Sequence, residues 1–136
     1  MLRIVAFCAM LAVGGVPLHA DVIQVDSAGL ERLRADGVAV IDVRRAEEWR
    51  KTGVIDGSHL LTFFDATGRY DLDTWLPALA AVAESGEPVA LICRSGKRSG
   101  RVARLLDEQF GYRHVYTARD GIVGWIEEGR STVERP

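Results

Sequence analysis

Cysteine is nearly absent from this chain. Its 136 residues include two, Cys8 and Cys93, with no CxxC pair, which excludes a disulfide-rich framework and a thiolate metal cluster. Histidine is scarce too: of three, His59 and His114 stand isolated and no G-x-S-x-G elbow occurs, so neither a metal site nor a catalytic triad is supported. No cofactor and no metal are expected. Neither sign of charge is in large excess; the net charge of −2 argues against a general nucleic-acid binder. Repeats, linkers and low-complexity tracts are missing as well. What remains is an ordinary globular balance, 48% hydrophobic and 26% charged, in a chain of one domain's length.

The first twenty residues, "MLRIVAFCAMLAVGGVPLHA", read differently from the rest. A cation (Arg3) precedes an apolar run from Ile4 to about Val16, and Pro17 to Ala20 lead into the polar "DVIQVD". This order of charged, apolar and polar regions is that of a secretory signal peptide, with cleavage expected after Ala20. The run is shorter than the roughly 20 apolar residues that span a bilayer, so no membrane association is expected once the leader is removed. Residues 1–20 are therefore read as a leader and residues 21–136 as an exported, periplasmic domain. Cys8 departs with the leader, leaving Cys93 as a single thiol that needs a reason.

Beyond the leader, short apolar runs alternate with amphipathic segments. "VIQV", "VAVIDV", "SHLLTF", "PVALIC" and "HVYTA" have the length of strands. "SAGLERLRADG" reads as a helix capped by Asp26 or Ser27, with Leu30 and Leu33 inward. "RAEEWRKTG", "DLDTWLPALAAVAESG", "KRSGRVARLLDEQFG" and "GIVGWIEEG" supply four more, and Pro77 is expected near a first turn. Trp49, Trp75 and Trp125 are expected in the core. This alternation predicts an α/β fold: a mainly parallel sheet of about five strands with helices on both faces.

"VALICRSGKRSG", residues 89 to 100, is where chemistry is expected. In open α/β sheets ligands sit beyond the carboxyl ends of the strands, and Cys93 stands at such an end. The unpaired N–H groups of the following helix, with Arg94, Lys97 and Arg98, favour a thiolate, the nucleophilic form. The same loop, Arg94, Ser95, Gly96, Lys97, Arg98 and Ser99, forms a nest for an anionic substrate, with Gly96 allowing a sharp turn and close approach. Asp42 follows a buried run and needs a partner; with Arg44 it reads as a structural ion pair, although Arg44 could face the pocket. "SGKRSG" is not a P-loop, because Leu91 stands where the first glycine belongs and Arg98 where Ser or Thr is required. A Cys-x5-Arg phosphatase loop is excluded too, since its arginine position holds Ser99.

Three segments in order resemble the rhodanese-like single-domain sulfurtransferases. "VIDVRRAEEWRKTGVIDGSHL" is similar to the family's Asp-x-Arg and Gly-x-Ile-x-Gly-Ser motifs, "CRSGKRS" to its active loop, and "VYTARDGIVGW" to its closing Gly-Ile-x-x-Trp segment. Val54 and Asp120 depart from the common pattern, both away from the loop. The resemblance spans about residues 28–130. It implies a single rhodanese-like domain and a sulfurtransferase in which Cys93 takes a sulfane sulfur from thiosulfate or a similar small anionic donor. The resulting persulfide then passes to a thiol, to cyanide or to a protein sulfur acceptor. The competing expectation is a periplasmic sulfur or redox relay with little turnover on small molecules.

Overall fold

A computed structural model describes residues 21–135; the expected leader lies outside them, as does Pro136. The elements follow in strict alternation: β1 (Ile23–Val25), α1 (Ser27–Ala35), β2 (Ala39–Asp42), α2 (Ala46–Thr52), β3 (His59–Leu60), α3 (Leu72–Val82), β4 (Val89–Ile92), α4 (Lys97–Gln109), β5 (Val115–Ala118) and α5 (Gly121–Glu127). The five strands form one sheet in the order β1-β5-β4-β2-β3, every neighbouring pair parallel.

A sheet of this kind needs cover on both faces, and the period-two alternation along its strands supplies two cores. On one face Ile41, Val43, Val89, Leu91 and Cys93 pack beneath Trp75 and Leu79 of α3 and Val102, Ala103 and Leu106 of α4. On the other, Val40, Ala90 and Ile92 meet Leu30 of α1 and Ile122 and Trp125 of α5. Each fully buried aliphatic side chain here contributes about 1.5–3 kcal/mol. Asp26 caps α1, its carboxylate accepting the Gly29 N–H at 2.7 Å.

Three local expectations change. "SHLLTF" keeps only two residues in β3, because it is an edge strand; beyond it the Leu61 and Phe63 N–H groups still bond to the carbonyls of Asp42 and Val43. Pro77 sits in the second turn of α3, on its solvent side. Trp75 and Trp125 are buried, but Trp49 is half-buried: α2 buries no residue completely, and its indole lines a surface groove with Tyr70 and Trp75.

The topology fixes where a site can form. From β2 the chain steps outward to β3, then returns to the opposite side of β2 for β4 and continues to β5. The order thus reverses between β2 and β4, and the crevice beyond their carboxyl ends is the position at which such sheets bind ligands. Asp42 and Ile92 are paired in register there, so the segments holding Arg44 and Cys93 leave the sheet side by side.

Candidate active site

Cys93 follows the last residue of β4 and lies against the α3–α4 core, with 1% of its surface exposed. Its Sγ accepts the Gly96 N–H at 3.1 Å, a hydrogen bond that favours negative charge on the sulfur. Gly96 is the N-cap of α4 and has φ of 97°, a left-handed conformation. A Cβ there would also collide with the Arg119 carbonyl oxygen, so backbone angle and space both demand glycine. The loop is braced from α5: Ile122 and Val123 donate their N–H groups to the carbonyls of Cys93 and Arg94 at 2.9 and 3.2 Å. Gly121, at φ of 61°, permits that approach, since any Cβ would strike the Arg94 carbonyl. The closing Gly-Ile-x-x-Trp segment is thus the backstop of the cysteine loop, and Asp120, expected away from that loop, stands between two residues that abut it.

The other residues expected at the site divide into three groups. Arg94, Ser95 and Lys97 are exposed at the mouth of the loop. Ser99 is fully buried and turned inward; its hydroxyl accepts from Thr117 at 2.9 Å and lies 3.3 Å from the Gly96 carbonyl. Arg98 is tied down, its Nη1 and Nη2 donating to the two carboxylate oxygens of Glu48 at 2.8 and 2.6 Å. This pairing holds the Glu48 carboxyl at about 2, down from an ordinary 4.5; burial opposes the shift and the Arg45 N–H assists it. The same contact raises the Arg98 guanidinium. Glu48 carried no signal as a site residue in the sequence. It stands at the third position of α2, where it also accepts the Arg45 N–H.

Asp42 and Arg44 form a closed pair, each side chain 1% exposed. The Arg44 Nε and Nη2 meet both Asp42 oxygens, at 3.0 and 2.8 Å, while Nη1 reaches Thr52 and Nη2 the Gly53 carbonyl. With its donors engaged in this way, Arg44 ties the end of β2 to the end of α2 and is not at the mouth.

The family model for the rhodanese-like domain matches residues 27–128, three quarters of the chain and every element but β1. The chain belongs to the rhodanese-like domain family. Among solved structures, the polysulfide-sulfur transferase homodimer of Wolinella succinogenes superposes with a TM-score of 0.65 at 22% identity, covering 87% of this chain and 82% of that one. A rhodanese-related protein of Thermoplasma volcanium gives a TM-score of 0.63 at 26% identity, over 83% of this chain and 99% of its own. A curated relative, the adenylyltransferase and sulfurtransferase uba4 of Neosartorya fischeri, is 34% identical over 68 residues, 47% of this chain. The match covers only 14% of that relative's length. The rhodanese-like fold places the cysteine loop at the β2–β4 crevice. Among the described residues no helix is long and apolar enough to cross a membrane.

Proposed function

We propose that this rhodanese-like domain is an exported sulfurtransferase that moves a sulfane sulfur from thiosulfate or a similar anion through a persulfide on Cys93. The observation that carries the reading is the Cys93 sulfur itself. It is the single cysteine of the described residues, it accepts an N–H from its own loop, and Arg94 and Lys97 stand exposed at that loop's mouth. The names of the Wolinella and Neosartorya relatives, both called sulfur transferases, support the same class.

The reaction needs no outside oxidant. The Cys93 sulfur attacks the outer sulfur of thiosulfate and forms an S–S bond; the donor's own S–S bond breaks, and its electron pair leaves with sulfite. The terminal persulfide sulfur then bonds to the acceptor, cyanide or a thiol, and the pair returns to Cys93. This is covalent catalysis in which the environment, not a neighbouring base, readies the nucleophile. The Gly96 N–H stabilises charge on the sulfur. Arg94 and Lys97 draw in the dianion by charge.

Purified protein supplied with thiosulfate and cyanide should form thiocyanate continuously, and Cys93→Ser should form none. Loss of sulfur transfer from every small donor in wild-type protein with a free thiol would contradict the proposal. Export is tested separately: N-terminal sequencing of protein expressed from the full reading frame should find a new terminus at or beside Asp21. An intact Met1 terminus would contradict the leader.

A further inference from the structure

The Glu48–Arg98 pair joins two segments fifty residues apart at the mouth of the crevice, where α2 and α4 both begin. It is only partly covered, with 18% of the Glu48 and 27% of the Arg98 side chain exposed. Unlike a sealed core pair, it keeps part of both side chains open to solvent, where a ligand can meet the guanidinium. Arginine presents five N–H donors, and the two directed at Glu48 leave others for a ligand. Fixing the guanidinium before a ligand arrives removes part of the ordering cost that a free arginine carries. Preorganised charge of this kind is what a site for an anion needs. The pair also lines a cavity of about 320 Å³ with Arg45, Phe64, Asp65 and Arg101, the last stacked over the Phe64 ring at 4.6 Å.

We infer that Glu48 is a positioning residue that holds the Arg98 guanidinium in place and offsets one of the three cations of the cysteine loop, thereby setting how strongly the site draws an anionic donor. The inference rests on the sulfur-transfer reading only for its effect on turnover; its effect on the field at Cys93 stands independently. Two opposed consequences follow from removing the carboxylate charge. The site becomes more positive, so an anion binds more readily, while Arg98 loses its fixed place, so the bound anion reacts more slowly. A pair that only tied α2 to α4 would leave kcat unchanged in folded Glu48→Asp, where the charge is kept.

The test compares wild type with Glu48→Gln, using alkylation of Cys93 by iodoacetate, an anion, and by iodoacetamide, which is neutral. The ratio of the two rates should rise roughly threefold in the variant, the size of one screened unit charge near a protein surface. With thiosulfate, KM should fall while kcat falls about tenfold, because a poorly placed group costs rate without costing attraction. Should Glu48→Gln not fold, Glu48→Asp keeps the charge on a shorter side chain, so the alkylation ratio should hold and kcat should still drop. An unchanged alkylation ratio in folded Glu48→Gln, or an unchanged kcat in Glu48→Asp, would overturn the inference. Alkylation needs a free thiol that the reagent can reach but no sulfur transfer, and the iodoacetamide rate reports that access in each variant. A failure of sulfur transfer in wild type would therefore sink the proposed function while leaving the role of Glu48 to be read from the ratio.

Discussion

Two arginines leave neighbouring strands of this sheet, and each meets a carboxylate with two nitrogens. Arg44 follows β2 and pairs with Asp42; Arg98 follows β4 and pairs with Glu48. The first pair is sealed, 1% exposed on both sides, with further bonds to Thr52 and Gly53. The second is mostly covered but keeps 18% of the Glu48 and 27% of the Arg98 side chain open to solvent. The same chemistry serves two ends. A buried guanidinium whose donors are spent can only hold the backbone around it, whereas a guanidinium with donors to spare can be presented to a ligand. Position along the crevice, not residue type, decides which.

Breaking the sealed pair should produce the larger loss of stability. Arg44→Ala leaves the Asp42 carboxylate buried without its partner and should cost about 3–5 kcal/mol in urea unfolding. Arg98→Ala should shift the balance, costing less stability than Arg44→Ala while slowing sulfur loading from thiosulfate at least tenfold. Equal stability losses in the two variants would erase the contrast between a holding and a presenting arginine.

Acid sharpens the comparison on a smaller scale. The Glu48 carboxyl is held at about 2 in the folded protein against an ordinary 4.5. Its folded value is the lower one, so its contribution to stability is complete above about pH 4.5 and disappears as the pH falls towards 2. Over that window the stability–pH curve of Glu48→Gln should be flatter than that of wild type, as measured by thermal unfolding. Curves of the same slope would mean that the carboxylate gains nothing from Arg98 in solution.

Much of this was legible in the sequence, for physical reasons that differ from place to place. Buried strands such as "VALI" announce themselves as continuous apolar runs, and glycines at 53, 96, 111 and 129 mark turns with positive φ. Cys93 stood out because a thiol beside three cations has no simple packing motive. Asp42 and Arg44 are two residues apart, so their pairing needed only local geometry. Glu48 and Arg98 are fifty apart, and their meeting depends on β2 lying next to β4, which spacing along the chain does not reveal. The same gap hid the brace from Ile122 and Val123 onto the cysteine loop. Ser99 was grouped with the loop because it follows it in sequence, yet the first turn of α4 rotates its hydroxyl towards Thr117. Trp49 read as core because helical spacing says which residues share a face but not whether another layer covers it.

The most direct test of the account is the intact mass of the protein after brief exposure to thiosulfate, measured beside Cys93→Ser and again after cyanide. The account predicts a gain of one sulfur atom that requires Cys93 and is discharged by cyanide. No gain on protein whose thiol is shown to be free would contradict it.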